Sequence, residues 1–281
     1  MTQPKIFLVP FGGTDKELAT FHYASGLSQK LDAHVSVLHV LPDPQDFFAP
    51  YYALYGAPVY TEKTLTDVEA ENKKLKNSAE EKIKTASKTA KPAEFSFHSA
   101  TGRIEDAIAL RGRIADAVIM CRGSNESFTD TVGGVLTACA RPVIVVPPGE
   151  KPAPYNNRVL IAWDGSIEAA RAAGYALPYL DSNSTVRIFS RQDGESRNFP
   201  LKAQELAGYL KHHGIKAEEA PAPQNSENMT AQQALSAAAA EMDAGLIVMG
   251  AYTHHRLKQT VFGGVTKYML YNADRPVLLA H

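Results

Sequence analysis

Arg158-Val159-Leu160-Ile161-Ala162-Trp163-Asp164-Gly165-Ser166 is an apolar run closed by a turn. A short run of that kind, bounded by turn residues, reads as a buried strand. Ser166 stands where it can cap a following helix. The same opening occurs once before, where Ile6-Phe7-Leu8-Val9 runs into Pro10 and Gly12-Gly13. Further landmarks repeat in one order. Leu246-Ile247-Val248-Met249 matches Ala117-Val118-Ile119-Met120, and Arg275-Pro276-Val277-Leu278-Leu279 matches Arg141-Pro142-Val143-Ile144-Val145. Gly-Gly-Val falls between them both times, at Gly133-Gly134-Val135 and Gly263-Gly264-Val265. Landmarks repeated in one order mark a duplicated unit.

Outward from these landmarks, strands alternate with helical patterns. In the first copy residues 14–31 are helical and 35–40 form a second strand. Phe95-Ser96-Phe97 is a weaker third strand. Residues 102–114 are helical, 117–120 a fourth strand, 132–140 a short helix and 143–146 a fifth strand. The second copy has helical patterns at 166–180, 201–213 and 230–242, with strands at 158–163, 186–189, 215–218, 246–249 and 275–279. Between the copies, Pro147-Pro148-Gly149-Glu150-Lys151-Pro152-Ala153-Pro154 cannot continue a helix or central strand and reads as a semi-rigid linker. The expected division is 1–147, a linker at 148–157, and 158–281.

Alternating β and α elements imply an α/β fold of two tandem doubly wound domains, each a five-stranded parallel sheet flanked by helices. A ligand crevice is expected at the carboxyl ends of the strands, where the winding reverses. The first copy alone carries an insertion, roughly residues 42–66, with Phe47-Phe48-Ala49-Pro50-Tyr51-Tyr52, Tyr55 and Tyr60. It reads as a lid, a partner surface or a loop folded over its own core. The last is favoured because large exposed aromatic patches are uncommon on monomers.

Composition excludes several classes. With 281 residues, 44% hydrophobic, 21% charged and a net charge of −1, the chain is an ordinary globular sequence and not a nucleic-acid binder with a clustered basic face. Lys73, Lys74 and Lys76 interleave with Glu69, Glu71, Glu80 and Glu81, as on a solvated helix. Two cysteines, Cys121 and Cys139, are too few for a disulfide framework, and no Cys/His spacing fits a zinc site. With no long apolar segment, a cytoplasmic location and no membrane partner are expected.

The candidate chemistry lies after the first and fourth strands of the second copy. Asp164 can accept a hydrogen bond from an adenine amino group or ribose hydroxyl, Gly165 allows a turn, and Ser166 caps; the same residues also suit a plain turn with an N-cap. After the fourth strand, Gly250 precedes a loop containing Tyr252, Thr253, Arg256 and Lys258, and Gly263-Gly264 opens the next helix. Glycines let a backbone approach phosphate oxygens, and a helix start offers unpaired N–H groups. Val265 and Thr266 follow. No P-loop and no dinucleotide-binding glycine motif occurs. His254-His255 reads as solvated, and Cys121 as either a thiol activated by Arg122 or an inert buried cysteine, the latter being commoner. His39 and His98 are expected at strand ends facing the first crevice.

On these residues the chain resembles the universal stress protein family, as a tandem pair over nearly its whole length. Residues 159–166, 244–250 and 263–279 carry the likeness. ATP-binding members have Gly-x2-Gly-x9-Gly-Ser/Thr at this loop. Gly250 and Gly263 keep that spacing, while Thr253 replaces the second glycine and Gly264 the terminal Ser/Thr. The resemblance implies an adenine nucleotide α-hydrolase-like fold and ATP or ADP, with or without Mg2+, as ligand. Asp164 would face the adenine–ribose end, and Gly250, Gly263, Gly264 and Val265 the phosphates; Ala162, Trp163, Gly165, Met249, Tyr252, Thr253, Arg256 and Thr266 complete the implied nucleotide site. In the first copy Phe11 or Gly12 stands at the Asp position and Cys121 at the first loop glycine, so that site is expected to be degenerate.

The resemblance further implies a stress-response role, regulatory, with at most weak ATP hydrolysis. It implies pairing of the last strands, here inside one chain as a pseudo-dimer, with a homodimer as a further possibility. The alternative is a scaffold or signalling module independent of nucleotide, which Thr253 and Gly264 favour. An enzyme of the same superfamily ranks third, because no residue set places an acid and base together.

Overall fold

The computed structural model describes residues 3–43, 62–123, 126–149, 155–190, 201–251 and 263–281. In the first half the order is β1 (Ile6–Pro10), α1 (Leu18–Leu31), β2 (His34–Leu41), α2 (Glu62–Ala90), β3 (Glu94–Thr101), α3 (Ile104–Gly112), β4 (Ala117–Cys121), α4 (Glu126–Cys139) and β5 (Val143–Val146). In the second it is β6 (Arg158–Ala162), α5 (Ile167–Ala176), β7 (Thr185–Phe189), α6 (Ala203–His212), β8 (Ala217–Glu219), α7 (Ala231–Glu241), β9 (Leu246–Gly250), α8 (Gly264–Asn272) and β10 (Val277–Ala280). The strands form one sheet in the order β3-β2-β1-β4-β5-β10-β9-β6-β7-β8. Each half is a parallel, doubly wound five-stranded unit, as the alternation of elements predicts.

Alternation along the strands sends side chains to opposite faces of the sheet. Phe7, Val9, Val159, Ile161, Val248 and Leu278 pack with α1, α2, α5 and α6 in one layer. Leu8, Val118, Leu160, Ile247, Met249 and Leu279 pack with α3, α4, α7 and α8 in the other. Burying each such side chain contributes about 1.5–3 kcal/mol. Both layers run uninterrupted through the two halves.

The halves meet where β5 and β10 run antiparallel, with Val277 opposite Val145, Leu278 opposite Ile144 and Leu279 opposite Val143. The repeat that aligns Arg141 with Arg275 also aligns Ile144 with Leu278, so a pseudo-twofold axis passes through that pair. The internal pairing inferred for these strands is therefore present, and it covers two edges that would otherwise be open. Phe7 stacks on Tyr179 at 6.3 Å, Tyr23 donates to Gly245 O at 3.2 Å, and Tyr155 donates to Tyr179 O at 2.7 Å. Burial pushes all three phenols well above their ordinary range, so they remain neutral donors. Lys30 of α1 bridges to Asp181 at 2.9 Å and lies 4.8 Å from the centre of the Tyr155 ring.

Several elements exceed their sequence pattern. β3 pairs with β2 along its full length, from Glu94 to Thr101, although only its first residues read as a strand. Its side chains are only partly buried, so the apolar signal is dilute. Helix α4 begins at Glu126, well before the expected start, which puts Gly133 inside a helix rather than at its beginning. Helix α2 begins at Glu62, within the stretch assigned to the insertion. Residues 44–61, which carry the Phe and Tyr cluster, lie outside the described residues, as do linker residues 150–154.

Candidate functional site

In the second half the winding reverses between β6 and β9. The chain leaves β6 toward α5 on one face and leaves β9 toward α8 on the other. Two connections diverging from adjacent strands open a crevice at their carboxyl ends. Ala162 ends β6, Gly250 ends β9 and Gly263 caps α8, so these residues gather at that crevice.

Asp164, Gly165 and Ser166 form a tight turn. The Ser166 N–H donates to Asp164 Oδ1 at 2.9 Å, and the Ala169 N–H donates to Ser166 Oγ at 3.1 Å as the N-cap of α5. Gly165 has φ +72°, a left-handed conformation that a side chain would strain. Asp164 is exposed, and among the described residues only Oδ1 is engaged. The turn is held from behind: the Trp163 N–H donates to Phe189 O at 2.8 Å, and its indole Nε1 donates to Leu201 O at 2.7 Å. The Trp163 ring is buried in the core. Only its backbone is left to serve the crevice.

Gly250 pairs with Ala280 of β10. A Cβ there would lie 2.6 Å from Ala169 N and 2.7 Å from Glu168 C. The first turn of α5 thus rests on the end of β9, and this packing by itself requires glycine. Met249 is buried in the opposite layer. At Gly263 and Gly264, by contrast, no described residue stands within 4 Å of a would-be Cβ. Gly263 has φ −60° and ψ 159°, extended backbone that any residue adopts, and makes no side-chain cap for α8. Among the described residues, no side chain caps the first N–H groups of that helix, the kind of groups that receive an anion. Val265 is half-buried and Thr266 is buried in the first turn. Tyr252, Thr253, Arg256 and the neighbouring His254, His255 and Lys258 lie outside the described residues.

The first half builds its corresponding crevice differently. Gly12 stands where Asp164 does, and the carboxylate is missing; the Phe11 N–H donates to Leu38 O at 2.9 Å as the Trp163 N–H does to Phe189 O, and the Phe11 ring, like that of Trp163, is buried in the core. Gly13, with φ +100°, matches Gly165, and the Thr14 N–H donates to Glu17 Oε2 at 2.9 Å to start a 3-10 turn before α1. Cys121 ends β4 where Gly250 ends β9; burial pushes its thiol up to about 11, outweighing the charge of Arg122. The raised thiol fits the inert reading of this half-buried cysteine better than the activated one.

His39 lies within β2, not at its end, and is almost fully buried; its Nδ1 donates to Phe11 O at 2.7 Å, leaving Nε2 buried without a partner. His98, in the middle of β3, shares Ser96 Oγ with His34 and does not meet His39. Among the described residues, no three His, Cys, Asp or Glu side chains converge as a metal site.

Residues 156–281 match the sequence profile of the universal stress protein family. The whole fold resembles a universal stress protein from Archaeoglobus fulgidus DSM 4304, with 17% identity, a TM-score of 0.69, and coverage of 99% of this chain and 97% of that one. It also resembles a protein of unknown function from Pseudomonas aeruginosa PAO1, with 14% identity, a TM-score of 0.56, and coverage of 99% and 92%. None of the curated proteins matches the sequence. No described helix is long and apolar enough to cross a membrane.

Proposed function

We propose, from the match of residues 156–281 to the universal stress protein family, that the second half of the chain binds an adenine nucleotide, ATP or ADP, as a regulatory ligand. Asp164 and the Ala162–Gly165 backbone take the adenine and ribose. The open start of α8 at Gly263, Gly264 and Val265 takes the phosphates, with Thr253 and Arg256 contributing from the loop. The observation that carries this reading is the contrast between the loop glycines. Packing accounts for Gly250, whereas no described residue crowds Gly263 or Gly264. Glycine there leaves the helix N-terminus accessible to a phosphate.

Any Mg2+ would arrive on the nucleotide phosphates. Asp164 already accepts the Ser166 N–H, which suits a positioning group better than a general base and supports binding with little or no hydrolysis. A stress-response role in the cytoplasm is the setting the family suggests.

The test is the nucleotide content of protein purified without added ligand, followed by calorimetry with ATP, ADP and AMP. Binding is expected, weakened by Asp164→Ala and by Gly263→Val and unchanged in affinity by Gly133→Val, which lies inside α4. Absence of both bound nucleotide and binding heat at millimolar ligand would sink the reading and leave the nucleotide-independent scaffold in its place. Turnover of ATP well above background, lost on mutation of a crevice residue, would turn it toward catalysis.

A further inference from the structure

The pseudo-twofold axis makes two related corners where the halves meet, and they are filled differently. At one corner the chain after β4 turns at Arg122, whose N–H donates to Val146 O at 2.7 Å and whose guanidinium reaches across to Ala273 O in the second half. At the other corner the position after β9 is Ala251, whose N–H donates to Ala280 O at 2.8 Å in the same way. No side chain crosses there from Ala251, and beside His281, whose Nδ1 lies 3.4 Å from Ala251 O, is a cavity of about 260 Å³ lined by Leu136, Ala140, Arg141, Arg171, Tyr175 and His281.

Two guanidinium groups, of Arg141 and Arg171, line it, while the Tyr175 hydroxyl donates to Ala140 O at 3.5 Å. The Arg141 guanidinium donates to Arg113 O at 3.2 Å within its own half, and among the described residues neither it nor Arg171 forms a salt bridge. The dyad explains why. Arg275, the mate of Arg141, is held by Asp243 at 2.9 Å, whereas the residue aligned with Asp243 is Ile114. Tyr175 stands one turn beyond Arg171 on α5, and among the described residues no Asp or Glu side chain lines the space.

We propose that this corner is a second anion site, separate from the nucleotide crevice, which binds the phosphoryl group of a small phosphate compound between Arg141 and Arg171. Planar guanidinium forks match phosphate oxygens. The volume lies just below the ~300–1,000 Å³ of pockets that enclose drug-sized ligands. It suits phosphate or a monoester of a few carbons rather than a nucleoside triphosphate. None of the lining residues belongs to the Asp164 turn or to the loop from Gly250 to Thr266.

Calorimetry of the full chain with inorganic phosphate, and separately with glycerol 3-phosphate, tests this. Saturable binding is expected, weakened at least about tenfold by Arg171→Met and by Arg141→Met, since hydrogen bonds to charged groups are the strong ones. Arg171 is exposed, so its replacement leaves the unfolding temperature in place. Ala251→Arg, which copies Arg122 across the dyad, is expected to abolish binding. Tighter binding of the monoester assigns the site to an organic phosphate, and equal affinity assigns it to the free ion. No heat from either probe, or affinity unchanged in Arg171→Met, overturns the proposal. Binding lost in Gly263→Val but kept in both arginine variants places the phosphate in the nucleotide crevice and also overturns it.

Discussion

A Cβ on Gly250 would lie 2.6 Å from Ala169 N, while at Gly263 no described residue stands within 4 Å. Gly250→Ala is therefore expected to force α5 off the end of β9, at a cost of about 1–3 kcal/mol as in other overpacked cores. Urea unfolding without ligand measures it, and an unchanged midpoint would show that α5 yields freely. Gly263→Val is expected to leave that midpoint within about 0.5 kcal/mol, as for surface changes that disturb no packing. Spacing alone could not separate these glycines, because a packing requirement and a phosphate requirement call for the same residue. Asp164-Gly165-Ser166 was legible to the atom: the N-cap read from Ser166 is formed. Trp163 was less so, since nothing in its neighbours announces that the indole turns toward Leu201. The Cys121 thiol, pushed up to about 11, is expected to alkylate far more slowly at neutral pH than a free cysteine. Rapid labelling of Cys121 by iodoacetamide would contradict that raised value.

Helix α2 spans 29 residues, yet Ala79, Ile83 and Ala86 in its second part are buried while Leu75 is 45% exposed. Its stability contribution should follow that division. Ile83→Ala is expected to destabilise the fold by about 2–5 kcal/mol, and Leu75→Ala by no more than about 0.5 kcal/mol. Comparable losses at both positions would mean that the first part of the helix is also covered. Elements whose burial follows one period were legible in the sequence: β1, β4, β6 and β9 each show a run of buried apolar residues. Edge strand β3 was legible only in part because its half-exposed residues mix apolar and polar types. The start of α4 was hidden because Gly133-Gly134 resembles a helix opening, although tertiary packing carries the helix through it.

At the scale of the molecule, the halves are locked by β5–β10 pairing, the buried tyrosines and Lys30–Asp181. The hydrogen bond from Lys30 holds the Asp181 carboxyl below its ordinary value. A carboxylate lowered on folding stabilises the protein above its unfolded pKa, about 3.9, and loses that contribution as pH falls through the lower folded value. The stability difference between the native chain and Lys30→Met should thus be constant near neutrality and shrink on acidification below about pH 4. A difference that persists unchanged into stronger acid would assign the role of Lys30 to its packing over Tyr155 instead. The duplication and its strand order were legible from repeated landmarks; the unequal corners were not, because they depend on side chains that cross the dyad. Those corners bear on how the chain can change. In an assembly of two identical subunits every substitution near a twofold axis is made twice, so the two copies cannot be tuned apart. Here both sides are encoded separately, and a single codon alters one without the other. Arg122 opposite Ala251, and Ile114 opposite Asp243, are the marks of that freedom: one gene holds two independently heritable versions of a single surface.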